Sequence, residues 1–179
     1  NQPIRFTEIT KKETNSDPIQ LIANSNGSGT LTYAIVSGPA AVNGSTLSLT
    51  KQAGKVIVRA SINGTATHYQ NSTDIEFDVI DLATYKPTMS TRLTESYPIE
   101  LADSNGIYMI YVDADIDEKD FLSIDKIEIE IEGEIVTARE ISQGSYYLAW
   151  KPKNFKSYIV NMTTIASNGE TANLSKTIN

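Results

Sequence analysis

Apolar residues in this chain recur at every second position in short runs, and no stretch carries the three-and-four spacing of an amphipathic helix. In the second half, Tyr146, Leu148 and Trp150 fall two apart, and so do Tyr158, Val160 and Met162. The first half does the same at Ile19, Leu21 and Ala23, then at Leu31, Tyr33 and Ile35, at Val56, Val58 and Ala60, and at Ile75, Phe77 and Val79. Each run has the period of a strand with one buried face. Between the runs stand turn formers: Asn24 to Gly29, Ser37-Gly38-Pro39, Asn43-Gly44, Gly54 and Asn63-Gly64. Short strands with a turn signal about every ten residues predict an all-β sandwich. The only Trp, Trp150, belongs to one of these rows. In a small two-sheet domain the largest ring fills the space between sheets, so Trp150 is expected to be core.

With 179 residues, 40% of them hydrophobic, the chain has material for two modules of about 90 residues each. It has no Cys, which rules out a disulfide framework, thiolate metal sites and cysteine nucleophiles without fixing a compartment. The net charge of −7 is uneven, with six basic against seven acidic residues up to position 81 and nine against fifteen beyond. An acidic balance disfavours nucleic acid and anionic membranes, which call for basic surfaces. No apolar run approaches the roughly 18 residues of a membrane span. The start, Asn1-Gln2-Pro3-Ile4, lacks the charged and apolar regions of a signal peptide, so the chain is expected to be a segment of a longer protein.

Domain boundaries are expected where periodicity fails. Residues 82–94, which include Pro87, have no sustained alternation and are expected to be a linker between modules at 1–81 and 95–179. In the first module Tyr33 to Ala40, Gly44 to Thr50, Gly54 to Ser61 and the following Tyr69 resemble a bacterial extracellular immunoglobulin-like repeat. Such repeats have a turn before a Tyr packed on the sheet, and Ile62 to Tyr69 fills that place. The second module runs from Tyr97-Pro98-Ile99 through Tyr108 to Ala114, Ile127 to Gly133, Tyr146 to Trp150, Tyr158 to Thr164 and Ala172 to Ile178. It resembles another bacterial immunoglobulin-like module, of the kind attached to secreted glycoside hydrolases such as chitinases. That resemblance implies an internally packed Trp and Tyr. At Ala166 the chain departs from the Asp common before the Asn168-Gly169 turn, so a turn contact is expected to be missing.

Candidate chemistry is sparse. His68 is the only histidine and stands in a loop, so a Ser-His-Asp arrangement has one position to use and no supporting motif. Glu128, Glu130 and Glu132 alternate with isoleucines, which puts their carboxylates on one outward face about 7 Å apart. That separation suits an inverting glycosidase, but an open strand face supplies no cleft to raise a pKa. A solvated face is the expected reading. Asp113, Asp115, Asp117, Glu118 and Asp120 form the densest acidic run, whose alternate carboxylates would suit calcium, yet an EF-hand fails because Glu118 occupies the Gly position and Ile124 the final Glu position; an acidic turn between strands is the expected reading, with calcium binding the open alternative.

Aromatic residues carry the remaining signal. If Tyr108, Ile110 and Val112 point inward, Met109 and Tyr111 point outward, and the same logic exposes Tyr147. In an immunoglobulin-type order the two strands share a sheet. Tyr111 and Tyr147, extended by Met109, are therefore expected to form a flat platform on which the apolar faces of sugar rings stack. The sequence thus predicts two tandem immunoglobulin-like β-sandwich domains in a secreted or surface protein, non-catalytic, without cofactor or metal, and monomeric. The expected partners are an insoluble polysaccharide such as chitin and neighbouring domains of the same polypeptide. A structural spacer or adhesin stalk, which forecasts that every large aromatic is buried, is the alternative.

Overall fold

The computed structural model describes residues 3–93, 105–154 and 156–178. Among the described residues the chain is all β apart from one 3-10 turn at Leu82–Thr84, and it divides into two compact units, Asn1–Leu82 and Ala83–Asn179. No helix among the described residues is long and apolar enough to cross a membrane.

The first unit contains β1 (Ile4–Phe6), β2 (Lys12–Glu13), β3 (Ile19–Gln20), β4 (Ala23–Ser25), β5 (Leu31–Ser37), β6 (Ala40–Asn43), β7 (Thr46–Leu49), β8 (Gly54–Ile62) and β9 (Asn71–Ile80). One sheet has the order β2-β9-β8-β5, a second β3-β7-β6, and β1 pairs with β4. The short β2 runs parallel to β9 while the other pairs are antiparallel, as in immunoglobulin-like sandwiches whose first strand divides between sheets. The inward residues Leu21, Leu47, Val56, Val58, Phe77 and Val79 make the core. On the solvent side of β8 and β9, Arg59 lies opposite Asp74 and bonds both its oxygens at 2.7 Å, an arrangement that favours a single register. Gly38 has φ of 101°, and a Cβ there would come within 2.2 Å of the Lys55 carbonyl oxygen, so the β5–β6 turn needs glycine. Tyr69 is 84% exposed, which corrects the packed position implied by resemblance. The ring that packs is Tyr33: it meets Phe6 edge to face at 5.7 Å, and its hydroxyl accepts the Ala23 N–H at 3.0 Å.

The second unit contains β10 (Thr88–Thr91), β11 (Tyr108–Asp115), β12 (Ile124–Ile131), β13 (Glu134–Thr137), β14 (Arg139–Ser142), β15 (Ser145–Trp150), β16 (Tyr158–Ala166) and β17 (Thr171–Ile178). Its sheets are β10-β11-β15-β14 and β13-β12-β16-β17. In immunoglobulin lettering these are A-B-E-D and C′-C-F-G. Ile110, Val112, Ile127, Ile129, Val160 and Met162 are essentially excluded from solvent between them. Trp150 is half-buried against this core, 4.7 Å from the Tyr158 ring and 5.9 Å from that of Tyr108.

Two local findings revise the sequence reading. Residues 82–94 contain a strand as well as connecting chain: Thr88–Thr91 pairs with Val112–Asp115, Met89 packs on the core, and its sulfur accepts the hydroxyl of the fully buried Thr164 at 3.1 Å. Met89 is the only apolar residue of this four-residue strand, and Thr91, which shares its inward face, is polar, so no hydrophobic period shows and the stretch reads as linker. The strand expected at Tyr97-Pro98-Ile99 lies outside the described residues. At the other end of the unit the turn with Ala166 is closed without Asp. The Ala166 N–H reaches the Glu170 carbonyl at 3.0 Å, Asn168 Oδ1 accepts the Glu170 N–H at 3.1 Å, and the Asn168 amide donates to the Tyr85 carbonyl at 2.9 Å. Ala166 is 1% exposed, so a carboxylate there would be desolvated.

Tyr158, at the start of strand F, donates its hydroxyl to the Asn154 carbonyl at 2.8 Å and accepts the Asn154 N–H at 3.1 Å. This is the tyrosine corner of immunoglobulin-like folds. The hydroxyl of Tyr108, by contrast, is buried without a partner. Tyr158→Phe is therefore expected to cost about 1 to 3 kcal/mol, whereas Tyr108→Phe is neutral or stabilising. Denaturant titration of the full chain followed by Trp150 fluorescence reports on this unit alone, and equal losses for both variants would contradict the assignment. Burial also raises the pKa of Tyr108, and burial together with Glu140 raises that of Tyr146. Above pH about 10 the unfolded state loses these protons while the folded state keeps them, so stability present below that pH falls as it rises. The alkaline limb of the unfolding midpoint is expected to be shallower in Tyr108→Phe and Tyr146→Phe, and an unchanged limb would be the opposing result.

Candidate functional site

The outer face of β10-β11-β15-β14 is set by the pairing of β11 with β15. Tyr108 lies opposite Trp150, Ile110 opposite Leu148 and Val112 opposite Tyr146, all facing inward. Met109 is thereby opposite Ala149, Tyr111 opposite Tyr147 and Asp113 opposite Ser145, on the other side. The two tyrosines are half-buried neighbours across the ladder, and Met109 is 42% exposed beside them. The turn feeding β15 holds this register: the Ala114 N–H donates to the Gly144 carbonyl at 2.8 Å, and Gly144 has φ of 81°. A side chain at 144 would strike the Ala114 carbonyl.

Two residues outside the sequence reading complete the row. Arg139 on β14 lies opposite Tyr147, and Arg92, the residue after β10, places its guanidinium 5.1 Å from the Tyr111 ring centroid. Arg92 Nε also stands 3.5 Å from an oxygen of Asp113. Arg139 sits in the fully exposed four-residue strand Arg139–Ser142, which has no alternation to mark it, and Arg92 lies inside the stretch 82–94 that reads as linker. Only the pairing of short edge strands reveals either one.

The acidic run does not converge. Asp113 accepts a hydrogen bond from the Ser145 hydroxyl at 2.7 Å. Asp115 is bonded by Lys119 at 2.8 Å and by the Ile116 N–H at 2.9 Å, and those two donors hold its carboxyl below the usual range. Among the described residues, no three His, Asp or Glu side chains gather as a metal site would require. Nor do the three glutamates share a face. Glu128 and Glu130 stand on β12, beside Lys126 at 2.7 Å and Asn161 at 3.4 Å, but Glu132 has φ of 55° and forms the β12–β13 turn with Gly133. Positive φ at both central residues defines a type I′ turn, so the strand period ends at Ile131. Glu132 pairs with Lys156, whose pKa it raises. His68 Nδ1 meets its neighbour Thr67 Oγ1 at 2.8 Å in an exposed loop.

A concave feature also lies within this unit. The segment from β13 to β14 switches sheets at Ala138, whose N–H bonds the Ile127 carbonyl at 2.8 Å. β14 pairs β15 only from Ser145 to Tyr147, so Leu148 to Trp150 lacks a strand on that side among the described residues. The resulting cleft is about 560 Å³, floored by Ile129, Val136, Leu148 and Trp150, with Glu134, Lys151 and Lys153 at its mouth. That volume falls in the small-ligand range.

No protein-family model and no curated protein sequence matches the chain. Among solved structures it is similar to the fibronectin(III)-like modules of Clostridium thermocellum CbhA, at 13% identity and a TM-score of 0.42, over 98% of this chain and 93% of that one. It is similar to human protocadherin-24 EC1-2 at 15% identity and a TM-score of 0.44, over 98% and 95%. For the extracellular cadherin domains 1-4 of protocadherin gamma B7 the identity is 11% and the TM-score 0.43, and the chain spans half of that chain's length.

Because the carboxylates of Asp113 and Asp115 are engaged separately, added calcium is expected to leave the Trp150-detected unfolding midpoint unchanged. A rise that saturates with calcium and reverses with chelator would contradict this.

Proposed function

We propose that this chain is a non-catalytic accessory region of a secreted or surface polysaccharide-degrading protein, and that its second unit binds polysaccharide on the outer face of β10-β11-β15-β14. The observation that carries the reading is the direct opposition of Tyr111 and Tyr147 on a solvent-facing sheet. Two tyrosines opposed across an outward sheet face suit an extended polymer, because the C–H faces of successive sugars can lie on their rings while polar neighbours such as Asp113 and Ser145 meet hydroxyls. Met109 lengthens the apolar strip. The immunoglobulin-like modules that the sequence resembles accompany glycoside hydrolases, with chitinases among them, so chitin is the first neutral polymer to test.

Binding adds no chemistry. It holds an attached catalytic domain near an insoluble substrate and raises its effective concentration there. The spacer alternative forecasts buried aromatics throughout, and Tyr111 and Tyr147 are only half-buried.

The full chain is expected to be retained on an insoluble polysaccharide, and Tyr111→Ala with Tyr147→Ala is expected to reduce retention about tenfold or more, given stacking worth about 1 kcal/mol per ring. A sedimentation assay on chitin, cellulose and an insoluble pectate measures this. Retention indifferent to both substitutions would remove the platform, and no retention on any polymer would favour the spacer.

A further inference from the structure

We propose that the polysaccharide held on this face is an acidic one, carrying carboxylates on its sugar rings, and that Arg92 and Arg139 bind those carboxylates at the two ends of the tyrosine row. The inference rests on the glycan reading above and narrows it.

The argument begins with order across the sheet. Thr91 lies opposite Val112, so Arg92 follows at the level of Tyr111; Tyr111 is opposite Tyr147, and Tyr147 is opposite Arg139. Directly opposed residues share a face, so one row reads Arg92, Tyr111, Tyr147, Arg139. Neighbouring strands are about 4.8 Å apart, so the backbones at the two ends are about 14 Å apart. A short run of sugar rings laid across the strands spans this row, with apolar contact in the middle and a cation at either end.

The cations are of the matching kind. A guanidinium presents paired N–H donors to a carboxylate in a fixed fork, and it is more weakly hydrated than an ammonium, which favours it where a planar anion must be oriented. Arg92 is held in advance by the Tyr111 ring, and Asp113 engages it from the Nε side at 3.5 Å, longer than the 2.7 to 2.9 Å of a strong charge-assisted bond. Arg139 is exposed and makes no ion pair with a described residue. Elsewhere in the unit Lys119 and Lys126 are bonded to Asp115 and Glu128 at 2.8 and 2.7 Å and Lys156 pairs with Glu132, while Lys86, 3.6 Å from Glu170, is as loosely paired as Arg92 but has no tyrosine row beside it. In a half of the chain with nine basic and fifteen acidic residues, cations left loosely matched on an aromatic face are complementary to a carboxylated ligand. Repulsion from the remaining surface disfavours polyanions whose charges do not fall on the row.

The test is affinity electrophoresis of the full chain in native gels containing polygalacturonate, the same polymer fully methyl-esterified, or hydroxyethylcellulose. Retardation is expected with polygalacturonate and is expected to be about tenfold weaker with the ester. Arg92→Gln with Arg139→Gln should weaken polygalacturonate binding by about five- to tenfold, as should Arg139→Gln alone to a smaller degree. Lys151→Gln with Lys153→Gln, which removes the same charge away from the row, should leave it unchanged, and every variant should keep the parental Trp150 unfolding curve. Equal retardation by acid and ester, lost on replacing the tyrosines, would overturn the acidic ligand and leave glycan binding intact. Equal weakening by the lysine and arginine pairs would also overturn it, as a charge effect without a site. Absence of retardation in all three gels would overturn the acidic ligand, and retention on insoluble chitin in the sedimentation assay would then decide the glycan reading by itself.

Discussion

The β11–β15 ladder is the constraint on which the second unit depends. Its six registered pairs alternate, and every inward pair closes the core while every outward pair builds the surface. Tyr108 with Trp150, Ile110 with Leu148 and Val112 with Tyr146 cannot slip by one residue without turning the whole set to water. The same slip would separate Tyr111 from Tyr147. Core burial thus fixes the geometry of the face at no further cost, and the face is as rigid as the packing beneath it.

The surrounding elements protect that ladder. β10 covers one edge of β11, anchored by Met89 over the Thr164 hydroxyl, and β14 covers part of β15. The tyrosine corner at Tyr158 fixes the chain entering strand F, and Tyr158 in turn supports Trp150 edge to face. Because the chain switches sheets at Ala138, no strand among the described residues pairs with the far half of β15 on that side, and Trp150 faces core on one side and the cleft on the other. An indole with both roles explains why it is half-buried where the sequence suggests a fully internal ring.

Long central strands were legible because their side chains alternate over six or more residues, as in Tyr108–Asp115, Gly54–Ile62 and Tyr158–Ala166. From them the sandwich class, the inward set and the outward placement of Met109, Tyr111 and Tyr147 all follow. Short edge strands were not legible. Lys12–Glu13, Thr88–Thr91, Glu134–Thr137 and Arg139–Ser142 are two to four residues long, and pairing with a neighbour defines them more than any pattern of their own. Arg92 and Arg139 were missed for that reason. Glu132 was misplaced because the Ile-x-Ile-x-Ile period carries no mark of where a turn begins, although the following Gly133 is such a mark in retrospect. Packing of Tyr69 is implied by the family resemblance alone, and no alternation around it supports burial.

The most direct test of the account is solution NMR of the full chain titrated with a short soluble oligogalacturonate, following backbone amides and the arginine Nε signals. The account predicts saturable shifts confined to residues 90–92, 109–113, 139–140 and 145–149, with the Nε signals of Arg92 and Arg139 among the largest. Shifts centred instead on Val136, Trp150, Lys151 and Lys153 around the cleft, or spread without saturation over basic side chains in general, would contradict it.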